Sequence, residues 1–232
     1  MARPHAKHDL SPMPVLIDGP RRAFECELML PKRPRGTVVF AAGQGLEEGF
    51  CSAMIDALSS AQVAVLQLPQ LAGTWDEMEE TPSPAELGAC LQAACHWLER
   101  ESWTSGLAQG FFGVGGMAAP MLLMASDAPP LLQAMVIVEG SADMSEADLE
   151  QVQIPSLFIA DAQNPLDADL HQEVALMLHC ESKVVLLDKL LVPPMLALDW
   201  YLDHFEAYYK SPREQSSHLR AQGLFPEAFH GA

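Results

Sequence analysis

Short apolar segments alternate with segments of helical periodicity along this chain, and that alternation constrains the fold more than any other feature. The apolar runs, each predicted to form a strand, cover residues 15–17, 24–30, 37–42, 63–68, 111–112, 134–139, 156–160 and 183–187. The helical patterns between them cover residues 50–60, 84–99, 117–125, 170–178 and 194–209. Strands that alternate with helices of this length predict an α/β fold, a mostly parallel sheet with helices on both faces.

The apolar character of the runs also predicts their place in that sheet. Thr37–Ala41, residues 111–113 and residues 134–138 are apolar on both sides, which is typical of parallel strands covered on both faces. We therefore expect these three strands at the centre of the sheet. The first two runs, 15–17 and 24–30, alternate between apolar and polar residues, and we expect them to form a hairpin at an edge.

The length of the chain fits one domain. It has 232 residues, of which 49% are hydrophobic, and a single α/β domain commonly reaches ~200–250 residues. We expect a disordered N-terminal segment at residues 1–13, an α/β domain at residues 14–210 and a C-terminal tail at residues 211–232.

The strong negative charge limits the classes of partner. The formal net charge is -18, so phosphate backbones and anionic lipid surfaces are repelled, and we expect no nucleic-acid or membrane partner.

The five cysteines form no CxxC pair and the eight histidines show no HExxH spacing, so we expect no metal site. No run reaches ~18 apolar residues and no secretory signal opens the sequence, so the expected location is the reducing cytoplasm.

Residues 110–119, which read GFFGVGGMAA, predict a strand, a tight turn and the start of a helix. In a nucleophile elbow, a serine or cysteine sits on such a strained turn at the carboxyl end of a strand. Here Gly115 occupies the apex of the turn, which we call the elbow (residues 113–117). Glycine has no side chain that could attack a substrate.

With this motif and the order of its elements, the chain resembles the α/β-hydrolase fold over residues 14–209, most closely the dienelactone-hydrolase-like family. The family's His-Gly-Ser-Gly turn after the first buried strand is Ala-Gly-Gln-Gly at residues 42–45. Its Gly-x-Ser-x-Gly elbow is Gly-Val-Gly-Gly-Met at residues 113–117. The resemblance places Asn164 at the position of the catalytic acid and Leu191 at that of the histidine. It therefore implies a vestigial triad of Gly115, Asn164 and Leu191.

These losses predict a catalytically degenerate protein with a binding, regulatory or structural role. A triad needs a nucleophile, a base and an acid that holds the base, and all three are missing. We expect no cofactor. The loops after the strands should still form a concave apolar pocket, which should either hold an apolar small molecule or be filled by neighbouring side chains. The residues expected to border this pocket are Ala42, Gly43, Gln44, Gly115, Gly116 and Leu191.

Two other functions stay open from the sequence. An ester or lactone hydrolase with a non-standard nucleophile would use Cys51, Ser52 or Ser141, with Asp143 or Asp161 as a relocated acid. These residues also suit core, cap and turn positions.

A nucleotide-binding protein is the other alternative. Residues 113–118 match Gly-x-Gly-x-x-Ala after a strand, and Glu139 ends the next strand, where a ribose-binding acid would lie. Such a motif normally opens the first βαβ unit, whereas here several strands precede it.

Residues 75–80 form an acidic loop, expected to be solvated. In the tail, Leu219 and Leu224 accompany Phe225 and Phe229. Aromatic anchors of this kind dominate docking energies, so we expect Phe225 and Phe229 to contact either this domain, a protein partner or a second copy of the chain.

Overall fold

The computed structural model describes residues 11–42, 48–69, 82–140, 144–188 and 194–211. All statements below concern these ranges.

The described residues form eight strands, which match the eight predicted apolar runs in order, and six α-helices, of which five match predicted helical patterns and α4 does not. The strands are β1 (Met13–Asp18), β2 (Ala23–Met29), β3 (Thr37–Ala41), β4 (Ala64–Gln67), β5 (Gln109–Val114), β6 (Leu132–Val138), β7 (Ser156–Asp161) and β8 (Ser182–Leu187). The helices are α1 (Glu48–Ser60), α2 (Pro84–Arg100), α3 (Ala118–Ala125), α4 (Glu146–Leu149), α5 (Pro165–Met177) and α6 (Pro194–Lys210), and a 3-10 turn, Gly115–Met117, precedes α3.

The strands form one sheet in the order β1-β2-β4-β3-β5-β6-β7-β8. β1 and β2 pair antiparallel, as do β2 and β4, and every other neighbouring pair is parallel. The predicted mostly parallel sheet, the edge hairpin and the three central strands are therefore confirmed. β3, β5 and β6 lie side by side at the centre because their side chains are buried on both faces.

The helices cover both faces, and each face has its own hydrophobic core. One core packs α2, α3 and α5 against the sheet and includes the buried side chains of Leu91, Phe111 and Phe158. The other packs α1 and α6 against the opposite face and includes Phe40, Phe112 and Tyr201. Phe40 and Phe112 stack across β3 and β5 with ring centroids 4.7 Å apart. This arrangement confirms the prediction of helices on both faces.

Two glycines of β5 allow helices to approach the central strand closely. A Cβ on Gly110 would lie 2.6 Å from the ring of Tyr201 on α6, and one on Gly113 would lie 2.0 Å from the sulfur of Met121 on α3. The Tyr201 hydroxyl donates a hydrogen bond of 2.6 Å to the carbonyl oxygen of Phe111. These contacts fix β5, and with it the elbow that follows.

Some boundaries differ from those expected. Met13, placed in the N-terminal segment by the sequence, begins β1 and pairs with Leu28. α5 begins at Pro165 rather than at residue 170, because Asn164 caps it and proline suits the first helical position. Ser83 caps α2: its side chain accepts a hydrogen bond from the Glu86 amide, and the Glu86 side chain accepts one from the Ser83 amide.

None of the helices in the described ranges is long and apolar enough to span a bilayer.

Candidate functional site

The elbow has the backbone geometry of a nucleophile elbow although its apex is glycine. Gly115 follows the last residue of β5 and has a φ of +59°, a left-handed conformation that side-chain-bearing residues rarely adopt. A Cβ built on Gly115 would meet no heavy atom of the described residues within 4 Å. As far as the described residues show, the turn therefore leaves open space where a nucleophilic side chain would stand.

The floor of the elbow is the backbone of Gly140. Gly140 has a φ of +95°, and a Cβ at this position would lie 2.0 Å from the carbonyl oxygen of Gly115. Only glycine allows the loop after β6 to approach the turn after β5 this closely. Parallel pairing of Val114 with Val138 brings these two segments together at the carboxyl edge of the sheet.

Two side chains of α5 hold Gly140 in this place. The Gly140 amide donates a 3.1 Å hydrogen bond to Oδ1 of Asp167. The Gly140 carbonyl oxygen lies 2.9 Å from Nε2 of His171, and since a carbonyl oxygen only accepts, Nε2 carries the proton. Asp167 and His171 are 8% and 2% exposed, so both bonds are shielded from water. We call Gly140, Asp167 and His171 the latch.

The remaining polar atoms of the latch face each other. His171 Nδ1 and Asp167 Oδ2 are 3.9 Å apart, and neither has a hydrogen-bond partner among the described residues. The His171 ring also packs against Phe158, with centroids 5.4 Å apart.

Glu139 brings a second carboxylate to the latch. It has a φ of 54°, a left-handed conformation that is rare for a residue with a side chain. Burial, followed by the nearby carboxylates of Asp167 and Asp161, raises the pKa of Glu139 above its ordinary range. Negative charge is therefore concentrated at this edge of the sheet.

Asn164, expected at the position of the catalytic acid, has a local structural role. It is exposed and caps α5, its side-chain oxygen accepting a 3.4 Å hydrogen bond from the Asp167 amide. Asp161, considered as a relocated acid, accepts a 2.9 Å bond from the Gln163 amide within the same turn.

The structure describes part of the expected pocket. Ala42 follows β3 and Gly115 and Gly116 follow β5, and because Ala41 pairs with Gly113, all three lie at the same edge of the sheet. Gly43, Gln44 and Leu191 lie outside the described residues, as do Phe225 and Phe229 of the tail. The pocket and the docking anchors therefore stay predictions.

A groove lies along β2 and the carboxyl end of β4. It is lined by Arg22, Phe24, Glu25, Gln67 and Pro69, among others. Residues 70–81, which follow Pro69, lie outside the described ranges, so we build no site on this groove.

Two of the three alternative nucleophiles, Cys51 and Ser52, are described, and neither has the surroundings of an activated nucleophile. Burial raises the pKa of the Cys51 thiol, which keeps it in the less reactive protonated form. The Ser52 hydroxyl donates a 3.2 Å hydrogen bond to the Gly49 carbonyl within α1. Ser141 and Asp143 lie outside the described residues.

Four of the eight histidines lie in the described ranges. His96 and His179 are exposed, on α2 and before β8. His204 lies 3.4 Å from Glu181, which precedes β8 and so marks the edge of the sheet opposite the elbow. His171 contacts the elbow floor, but its Nε2 is bound to Gly140. Within these ranges, therefore, no histidine is placed as a free base at the elbow.

No motif in the sequence marks Asp167 and His171 as site residues. The available signal was their i,i+4 spacing, which puts two residues on one face of a helix. Only the tertiary structure shows that this face meets Gly140. Over the described part of the chain, no group of three or more His, Cys, Asp or Glu side chains is arranged to hold a metal ion.

Comparison with solved structures identifies the fold. The dienelactone hydrolase of Anabaena variabilis superposes with a TM-score of 0.76 at 21% identity, covering 85% of this chain and 99% of that one. Est1E of Butyrivibrio proteoclasticus, solved with ferulic acid, gives a TM-score of 0.69 at 13% identity over 83% and 99%. A Xanthomonas campestris serine hydrolase without a lid gives 0.62 at 13% over 94% and 98%. The chain has the α/β-hydrolase fold, as predicted.

Comparison at the level of sequence is less specific. No family model matches the chain. Two Mycobacterium tuberculosis proteins, each named "Putative phosphoribosyl transferase", are 28% identical to it over 190 residues. The match covers 76% of this chain but 43% of those proteins, so the chain spans less than half the length of the curated relatives it matches.

Proposed function

We propose that this chain is a catalytically degenerate α/β-hydrolase-fold protein, a pseudo-hydrolase whose elbow region binds a small apolar ligand without transforming it. The observation that carries the proposal is Gly115. It keeps the left-handed backbone of an elbow and the open space above it, but it lacks the attacking group. A pocket at the carboxyl edge of a parallel sheet can bind a ligand without chemistry.

The other two triad positions support the same function. Asn164 cannot act as the carboxylate that orients a base, and here its side chain caps α5. Leu191, at the position that the resemblance assigns to histidine, carries no titratable group. Catalysis by a triad fails when any one member is removed, so three simultaneous replacements favour a non-catalytic role.

The alternative function is an active hydrolase with a relocated nucleophile, and the experiment must distinguish it from the proposed non-catalytic role. Cys51 is its main candidate, and the raised pKa of this thiol counts against it because the thiolate is the nucleophile.

The name of the Mycobacterium tuberculosis relatives does not lead us to propose phosphoribosyl transfer. The match covers 43% of each relative, so the activity in that name has no assigned place in the matched segment. Similarity of fold alone does not establish that two proteins share a function.

The test is turnover of p-nitrophenyl esters and of simple lactones by the full chain. We expect rates at the uncatalysed background, and no labelling by a fluorophosphonate or by iodoacetamide at the elbow. The matched control is Cys51→Ala, which should behave like the wild type. Turnover by the wild-type protein that is lost in Cys51→Ala would replace this proposal with a cysteine hydrolase.

A gain-of-function variant tests the assignment of the three positions. The combination Gly115→Ser, Asn164→Asp and Leu191→His restores a nucleophile, acid and base, and Asp retains the ability to cap α5. We expect this triple variant to hydrolyse p-nitrophenyl acetate faster than wild type, while each single variant does not. Equal rates for the triple variant and wild type would contradict the vestigial-triad assignment.

A further inference from the structure

β8 is the last strand of the sheet, and among the described residues it pairs with a strand on one side only, with β7. The carbonyl oxygens of Glu181 and Leu187 accept hydrogen bonds from the amides of Ser156 and Ala162. Successive residues of a parallel strand direct their backbone groups to alternate sides. The backbone groups that point away from β7 are therefore those of Ser182, Val184 and Leu186. We call this side of the strand the β8 edge.

The side chains of β8 are apolar for a strand at the end of a sheet. Val184, Val185 and Leu187 are half-buried, and Leu186 is 44% exposed. Lys183 is the only charged residue of the strand, and its register with β7 runs without a bulge. Edge strands are normally protected by proline, charge or a bulge, and a regular apolar edge is a template for another strand.

The strand at the other end of the sheet, β1, has such protection. It contains Pro14, which has no amide proton to donate to a neighbouring strand. β8 contains no proline, so its edge offers an amide and a carbonyl group at every outward-pointing residue. The comparison identifies β8 as the edge at which pairing is favoured.

The terminal segments of this chain do not suit the β8 edge as an added strand. Residues 1–10 and 212–232 contain no Val, Ile or Thr, the β-branched residues that favour strands. Residues 1–10 also precede β1, which lies seven strand spacings from β8, or about 34 Å. Ten extended residues span at most about 33–36 Å, which leaves no residue for pairing.

We infer that the β8 edge is the surface through which two copies of this chain associate, by antiparallel pairing of β8 with β8 of the second copy. A two-fold axis perpendicular to the sheet keeps each helix layer on its own face, and it pairs outward-pointing residues with outward-pointing residues. With Val185 on the axis, Val184 lies opposite Leu186 of the second copy, so the exposed leucine gains an apolar neighbour. Lys183 lies opposite Leu187 of the second copy, so the two lysines are four positions apart.

Pairing of β8 with itself closes, whereas pairing of β8 with β1 of another copy does not. An isologous contact uses the same surface on both copies and stops at the dimer, while a β8–β1 contact leaves a free edge at each end and grows into a fibre. The dimer has one continuous sheet with eight strands from each copy. Because the axis reverses the strand direction, the two elbows open at opposite edges of this sheet. The inference is therefore independent of whether the elbow is catalytic.

The size and charge of the contact set the expected affinity. A contact along one six-residue strand is smaller than a standard interface of about 800 Å² per partner, so we expect a weak dimer with a Kd of about 1 µM or above. The net charge of -18 on each copy also opposes association, and salt screens that repulsion. The dimer should therefore become more populated as protein concentration and ionic strength rise.

The test is sedimentation velocity of the full chain from about 5 to about 500 µM, at low and at high salt. We expect the average mass to rise from monomer towards dimer with concentration, and to rise further at high salt. Leu186→Lys places a charge opposite Val184 of the second copy and should raise the Kd at least about tenfold. The matched control is Leu16→Lys, at a 67% exposed position on β1, which should leave the Kd unchanged.

Hydrogen exchange measured against protein concentration gives a second readout. The three amides of β8 that point away from β7 should exchange more slowly in the dimer, because pairing with the second copy protects them. The three alternate amides, which face β7, should keep the same exchange rate. A contact through any other surface would not produce this alternation along one strand.

Four outcomes would overturn the inference. They are a mass that stays monomeric at high concentration and high salt, a dimer that persists in Leu186→Lys, a dimer that is lost in Leu16→Lys, and a dimer that is lost when residues 212–232 are deleted. The last result would assign the contact to the tail. If Leu186→Lys does not fold, the exchange pattern of the wild-type protein decides the question.

Discussion

The elbow region contains three glycines, Gly115, Gly116 and Gly140. They differ in how strongly the backbone conformation and the available space exclude a side chain at each position. Gly140 combines a φ of +95° with a backbone contact that leaves no room for a Cβ. Gly115 has the left-handed backbone, with a φ of +59°, but open space around it. Gly116 has open space and no positive φ. A comparison of substitutions at the three positions therefore distinguishes the cost of steric crowding from the cost of backbone strain.

Replacing each of these glycines by alanine tests that separation. Gly140→Ala should lower the free energy of unfolding by about 3 kcal/mol or more, since overpacking adds to backbone strain. Gly115→Ala should cost about 1–2 kcal/mol from strain alone. Gly116→Ala should be neutral or stabilise by up to about 1 kcal/mol, because alanine restricts the unfolded chain. Urea titration measures all three, and equal losses would contradict the geometry described here.

The ionised side chain of Glu139 lowers the stability of the folded protein at neutral pH. Because the pKa of Glu139 is raised, the folded state binds the proton of this carboxyl group more tightly than the unfolded chain does. The contribution of Glu139 to the free energy of unfolding therefore falls as the pH rises above the ordinary glutamate range. Glu139→Gln should therefore raise the melting temperature at pH near 7, and the gain should vanish at about pH 4 and below.

Glu173→Gln, at an exposed position on α5, is the matched control for this prediction. A gain in Glu139→Gln that is equal at acidic and neutral pH would show that the charge is not its cause.

At the level of elements, most strands and helices could be predicted because buried parallel strands are short apolar runs between amphipathic helices. α5 was predicted to begin five residues late, at residue 170 rather than at Pro165, and the resemblance had placed Asn164 at the position of the catalytic acid. Their combination is in fact a helix start, with a cap followed by proline. α4 was not predicted, because a helix of four residues shows no full period of its own.

The cap of α5 gives an element-scale prediction. Asn164→Ala should lower the free energy of unfolding by about 0.5–1 kcal/mol, at the low end for caps because the bond to the Asp167 amide is 3.4 Å long. Asn164→Asp should retain the stability. Thermal denaturation of the two variants checks this. A full loss in Asn164→Asp as well would show that the amide, rather than the capping oxygen, is required.

At the scale of the whole molecule, the open question is what the tail contacts. Phe225 and Phe229 are the expected anchors, and both lie outside the described residues. Deleting residues 212–232 should leave the domain folded, since the described residues of both hydrophobic cores precede the tail.

If the tail docks on a second copy, this deletion should lower the mass measured by light scattering; if it docks on its own domain, it should lower the melting temperature. Phe225→Ala combined with Phe229→Ala should reproduce either effect. A deletion that changes neither mass, melting temperature nor recovery of a bound protein would show that the tail makes no such contact.

The sequence by itself determined the sheet, its central strands, the two covering helix layers and the elbow with glycine at its apex, because these depend on local periodicity and on one short motif. Only the tertiary structure decided that Gly140 forms the floor of the elbow and that Asp167 and His171 hold it. Gly140 lies 25 residues after Gly115 and 27 before Asp167, as the residue numbers give. Contacts between segments so far apart in the chain depend on how β5, β6 and α5 pack, and no local pattern encodes that packing.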